Sequence, residues 1–164
     1  MGVHHSDIQI AVATHKPYRM PSDPCYLPLH VGAALHPDIC MDMQQDNVGE
    51  NISALNGSYS ELTGLYWLWK NSDASIKGLV HYRRHFRTTA ASKRSAKDRF
   101  DRIATGEDFA GVFERTGAQA IVPKARDYVI DTVEAHYRHT LPGEQLDAAR
   151  DVIEGLYPPL PACI

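Results

Sequence analysis

The chain has 164 residues, 43% of them hydrophobic and 23% charged, with a net charge of −3. Those values fit one domain with a core of its own, residues 1–164, and exclude a chain drawn to nucleic acid or anionic membrane by overall charge, although a local basic cluster could still do so. No apolar run approaches the roughly 18–20 residues that cross a bilayer, and MGVHHSDIQIAVATHKPY has no signal-peptide pattern. Cys25, Cys40 and Cys163 follow no metal-ligand spacing and read as free thiols in a reducing compartment.

Ile8–Thr14 alternates and then turns apolar, as a buried strand does. It ends in the polar loop Thr14-His15-Lys16-Pro17. Residues 19–57 show little periodicity apart from a short element between Leu27 and Leu35, and read as a long surface excursion. Ser58 and Glu61 have the spacing of a capping box. Leu62, Leu65, Tyr66 and Trp69 then follow at helical spacing, with Asn71 as the stop. Tyr66 and Trp69 are expected in the core. Ile76–Tyr82 reads as the next strand. Lys93–Ala104 reads as a charged surface helix, and Ala118–Val122 as a third strand stopped by Pro123. Thr132–His139 and Glu144–Leu156 read as helices, the second with Leu146, Ala149, Val152, Ile153 and Leu156 on one face. Strands separated by helices imply an α/β fold with a mostly parallel sheet.

In such sheets ligands bind at the carboxyl ends of strands. Three polar clusters fall at predicted strand ends: Thr14-His15-Lys16, His81-Tyr82-Arg83-Arg84 and Lys124-Ala125-Arg126-Asp127. Converging cations of this kind suit a phosphate or diphosphate, because Arg binds phosphate bidentately and Lys acts as a point charge.

The segments VATHKPY, DNVGENISALNGSYSELTGLYWLWKN, GLVHYRRHF and IVPKARDYVIDTVEAHYRHT resemble, in order and spacing, a bacterial family of capsule, exopolysaccharide and O-antigen (lipopolysaccharide) gene clusters, known as domain of unknown function 4422. The resemblance covers roughly residues 8–160. It implies a GT-A-like, Rossmann-like fold and a hexosyltransferase-like glycosyltransferase. Such an enzyme transfers sugar from a nucleotide-sugar donor, a UDP-sugar above others, to a growing glycan or lipid-linked acceptor. It also implies a further C-terminal part beyond Ile164, so the domain is expected to be incomplete there. Many GT-A enzymes hold a divalent cation, Mn or Mg, on an Asp-x-Asp. No Asp-x-Asp follows His81, and Asp98-Arg99-Phe100-Asp101 has the wrong spacing; no metal ligand is assigned, and the need for a cation stays open.

Sugar transfer leaves negative charge on the departing diphosphate, which a metal or preorganised cations must stabilise. Arg83 and Arg84, with His81 and Lys16, are the candidate catalytic cations, and strand alternation predicts that only one arginine faces the site. Thr14, His15, Lys16, Asp46, Asn47, Asn51, Glu61 and Tyr82 are the candidate donor contacts. Asp46, Asn47 and Asn51 equally suit turns, and Glu61 equally suits a helix cap. His136 and His139 share a helix face but lack a third ligand.

Two further readings remain. One is a truncated, catalytically silent module that binds nucleotide or a partner. The other is a metal-dependent phosphoesterase, suggested only by nine histidines. The expected location is the cytoplasm, with Lys93, Arg94, Lys97, Arg99 and Arg102 available for peripheral contact with the inner membrane.

Overall fold

The computed structural model describes residues 4–88, 90, 96–125 and 129–156. They fall into two compact units, Met1–Val122 and Pro123–Ile164. The first is built on a four-stranded, all-parallel sheet of β1 (Ile8–Thr14), β2 (Tyr26–His30), β3 (Gln44–Gln45) and β4 (Ile76–His81) in the order β3-β2-β1-β4. β1 is apolar on both sides because both faces are covered. Ile8, Ile10 and Val12 join Tyr26, Val80 and Tyr82 in one core, while Ala11 and Ala13 join Leu29 and Val31 in the other.

Two short helices, α1 (Asn56–Tyr59) and α2 (Leu62–Asn71), replace the single capped helix predicted from Ser58. The capping box does not form: Glu61 precedes α2 without a side-chain cap, and Ser60 takes a left-handed φ of 48° between the two helices. The helix ends at Asn71 as predicted, but its buried face is turned by one residue. Thr63, Gly64, Trp67 and Leu68 face the sheet, whereas Trp69 is 60% exposed and Leu62 is exposed. Close approach explains the turn. A Cβ on Gly64 would lie 2.8 Å from Val31 Cγ1, so glycine lets α2 sit down on β2. Trp67 then donates its indole N–H to the Val48 carbonyl at 2.6 Å.

The opposite sheet face is covered by α3 (Gly106–Thr116), an element the sequence reading missed. Its signals were local: a complete Thr105–Asp108 capping box and a left-handed Gly117 stop. Phe109 and Ala110 reach the core with Phe113 beside them. The predicted strand 118–122 does not form: Ala118–Ala120 are exposed, and only Ile121 packs on the core. The run lies near the open edge of β4 without pairing to it, so an apolar run alone does not make a strand. The predicted charged helix 93–104 is also absent over its described part. Only the 3-10 turn Phe100–Arg102 appears there, because the flanking backbone pairs elsewhere: Thr88 donates to Arg102 O at 2.8 Å and Ala104 to Phe86 O at 2.9 Å.

The second unit is a helical hairpin of α4 (Val133–Thr140) and α5 (Glu144–Leu156), as predicted. Thr132 caps α4 by accepting the Ala135 N–H. Arg138 bridges Glu134 at 3.0 Å and Asp147 at 2.7 Å, tying the helices together. The tail from Tyr157 and Cys163 lie outside the described residues; Cys25 and Cys40 are free thiols.

Asp46 organises the carboxyl end of the sheet. It has no exposed surface, and its carboxylate accepts four hydrogen bonds: Gly32 N–H at 2.9 Å, Ala33 N–H at 3.1 Å, the Ser53 hydroxyl at 2.5 Å and the Thr63 hydroxyl at 2.7 Å. Gly32 has φ 72°, and a Cβ there would strike Asn56 at 2.7 Å. Replacing Asp46 with Ala strands buried donors, so we expect a loss of about 3 kcal/mol or more in urea unfolding. Gly32→Ala is expected to cost less but still lower the midpoint. An Asp46→Ala protein with the wild-type midpoint would contradict this account.

Candidate functional site

The strand order places the site. From β1 the chain moves outward through β2 to β3, then returns to the other side of β1 for β4. The strand order therefore reverses between β1 and β4, and the crevice at their carboxyl ends is where open parallel sheets bind ligands. A cleft of about 390 Å³ lies there, lined by Thr14 and His15 after β1, Val31 after β2, Asn56, Ser60 and Glu61 before α2, and His81 at the end of β4. A larger cleft of about 670 Å³ sits at the amino ends of the strands, bounded by Ser6, Asp7, Asn71 and Asp73; it lies away from the switch point.

His81 is the best defined polar group in the crevice. Its Nδ1 accepts the Arg83 N–H at 3.2 Å, so a neutral ring carries its proton on Nε2. Nε2 lies 3.8 Å from Glu61 Oε1, near enough for charge attraction but too far for a hydrogen bond. Burial holds the imidazole below its usual range. Glu61 opposes that shift, and Arg83, Arg84 and His15 reinforce it. The chain then turns tightly, with Arg84 N–H on the His81 carbonyl at 2.8 Å.

Tyr82 is a core residue, 1% exposed, beneath a cationic ring of side chains. The Arg83 guanidinium lies 5.2 Å and Lys16 Nζ 5.7 Å from its ring centroid, and His15 meets its edge at 5.5 Å. His15, Lys16, His81 and Arg83 are thus brought together around the Tyr82 ring, and Thr14 lines the crevice. The Thr14 hydroxyl is spent on the loop, donating to Lys16 O at 2.6 Å. Arg83 and Arg84 are both exposed, and Arg83 lines a second cleft.

Other predicted site residues serve the fold. Asp46 is the enclosed brace described above. Asn51 accepts the Ser53 N–H at 3.2 Å and donates to Gly49 O at 2.8 Å, which is the turn role. Asn47 is exposed on the same loop. The third cationic strand end is lost with its strand; Lys124 is exposed in the second unit, and Arg126 and Asp127 lie outside the described residues. His139 pairs with Asp131 at 3.2 Å. Among the described residues no three His, Cys, Asp or Glu side chains gather as a metal set, so these residues do not fit a divalent ion by themselves. Lys93 and Arg94 lie outside the described residues, and no helix among those described is long and apolar enough to cross a membrane.

The sequence reading did not anticipate His36, Ile39, Asn56 and Ser60 as cleft walls. Asn56 and Ser60 sit inside a quoted motif, but nothing in the aperiodic stretch around His36 marks it.

A parallel sheet with helices on both faces and a polar crevice at its switch point defines a Rossmann-like architecture. A solved structure described as the apo form of the bifunctional glycosyltransferase WbbM matches it with a TM-score of 0.74 and 27% identity, over 92% of this chain and 29% of that one. The fold is therefore that of a glycosyltransferase, and the chain spans 29% of the length of the protein it matches. Residues 9–162 match the family described as "Domain of unknown function (DUF4422)", and the chain belongs to that family. Comparison with curated proteins returns no match.

Burial also lowers the pKa of His30 and His85 from their usual values. His30 has no exposed surface, and neither of its ring nitrogens has a hydrogen-bond partner among the described residues. Above the ordinary histidine pKa of 6.5 these rings are neutral folded or unfolded. Below it the unfolded chain takes up protons that the folded chain resists, so stability falls as pH falls. We expect the unfolding free energy to drop between about pH 7 and pH 5, with a shallower slope in His30→Phe. A flat profile would contradict the buried neutral rings.

Proposed function

We propose that this chain forms the donor-binding part of a glycosyltransferase, which moves a sugar from a UDP-sugar to a growing polysaccharide or lipid-linked glycan. The observation that carries this reading is the polar crevice between β1 and β4, in a fold that matches a glycosyltransferase. Transfer makes the anomeric carbon positive and the leaving diphosphate negative. Arg83, whose guanidinium rests on the Tyr82 ring, is the leading cation for that diphosphate. Lys16, whose ammonium lies over the same Tyr82 ring, adds charge beside it, and Arg84 follows in the chain. Glu61 and the His81 Nε2–H face the cleft with acceptor and donor chemistry suited to sugar hydroxyls. His15 and the loop after β1 meet the nucleoside. A divalent ion, where one takes part, would draw ligands from the diphosphate and from groups beyond the described set.

A second reading is a module that binds nucleotide without turnover. It is favoured by one observation: Glu61 is the only carboxylate among the described residues that lines the crevice.

Calorimetric titration with UDP, with and without manganese, tests the reading. We expect metal-independent binding that weakens about tenfold or more in Arg83→Ala and less in Arg84→Ala. Absence of UDP binding by folded protein, or equal negligible effects of the two variants, would overturn the cationic clamp. UDP-sugar turnover separates enzyme from silent module.

A further inference from the structure

The walls of the crevice between β1 and β4 draw their cationic capacity from imidazoles. His15 follows β1, His36 follows the 3-10 turn Ala33–Leu35, and His81 ends β4. All three line the cleft, no Lys or Arg is among its described lining residues, and Glu61 is the one carboxylate there. A fourth ring, His30, ends β2 within charge range of His15 and His36. It has no exposed surface, and neither ring nitrogen has a hydrogen-bond partner among the described residues. Four of the chain's nine histidines thus gather at one crevice.

These rings oppose one another's charge. Protonation of His30 is resisted by burial and by His36 and His15, and is favoured by Asp46. Protonation of His81 is resisted by burial and by Arg83, Arg84 and His15, and is favoured by Glu61. Lys16 adds a positive charge over the Tyr82 ring, where His15 meets the edge and His81 packs at 4.2 Å. Without a counter-charge, His30 and His81 therefore stay neutral near neutral pH. A diphosphate reverses that balance. Its negative charge favours the protonated form of each nearby imidazole, and an imidazolium offers two N–H donors to its oxygens.

We propose that the crevice binds its anion with uptake of protons: His15, His36 and His81 become imidazolium donors to a diphosphate, with His30 behind them as a further proton acceptor. The liganded protein then holds more protons than the free protein, so binding tightens as pH falls through the range in which histidines titrate. Arg83 keeps its charge throughout that range, so the pH dependence reports the imidazoles. This linkage rests on the crevice being the nucleotide-sugar site.

Calorimetric titration of the purified chain with UDP-glucose, between about pH 6 and pH 8 and in two buffers of unlike ionisation enthalpy, tests it. The diphosphate of UDP-glucose is a diester that does not titrate in this range, so any protons taken up go to the protein. We expect uptake of about half a proton per ligand, and hence binding about tenfold tighter at the lower pH than at the higher. His15 and His36 are exposed; His15→Gln and His36→Gln are each expected to reduce the uptake and flatten the profile. His139→Gln, whose ring pairs with Asp131 in the helical hairpin, is expected to match wild type. Binding of UDP-glucose with no proton uptake and a flat profile overturns the linkage and leaves the donor reading standing. Wild-type uptake in a His15→Gln, His36→Gln double variant also overturns it. No binding by folded protein at any pH in the range overturns both the linkage and the donor reading.

Discussion

At the carboxyl end of β2, one fully buried carboxylate gathers two backbone amides and two hydroxyls from three separate parts of the chain. Asp46 fixes the Gly32–Ala33 turn, the Ser53 turn and the start of α2 at once. Removing any one donor leaves a charged oxygen under-satisfied in a dry environment, so the four contacts form and break together. The crevice walls depend on it. Val31 precedes the Gly32 turn, Asn56 reaches Thr63 at 2.9 Å, and Glu61 stands just before α2. A side chain that reads as a sugar ligand in the sequence is the reason the ligand-facing wall has a shape.

The same loop is braced from outside. Asn71 donates to Glu50 O at 2.9 Å and accepts the Glu50 N–H at 3.2 Å, and Trp67 holds Val48. The stretch 46–56 carries almost no regular structure, yet it is knit to α2 along its length. That arrangement reconciles a long irregular excursion with a defined site: backbone polar groups that find no ladder find side chains instead.

The cations divide between two places. Lys16 and Arg83 lie over the Tyr82 ring, with His15 against its edge, while Arg87, Arg99 and Arg102 line the smaller cleft. Aromatic faces recur under both sets, through Tyr82, Tyr18 and Phe100. A guanidinium on an aromatic face keeps its edge donors available. The fold thus holds Lys16, Arg83 and Arg99 against neutral aromatic surface.

Local pattern determined β1, β4, the stop of α2 at Asn71, α4 and α5, and the parallel α/β class. Each is a run whose periodicity or stop signal survives any tertiary context. The cationic strand ends of β1 and β4 were legible for the same reason, since a polar cluster after a buried strand has one place to go. Three things were decided only by packing. The buried face of α2 was set by Gly64 and Thr63, small and polar residues whose value lies in what they let approach. The apolar run 118–122 stayed outside the sheet, with only Ile121 packed on the core, although the edge of β4 lies beside it. Asp46 went inside and Arg99 and Arg102 joined Arg87, because pairings between residues far apart in sequence leave no mark on the sequence around each residue.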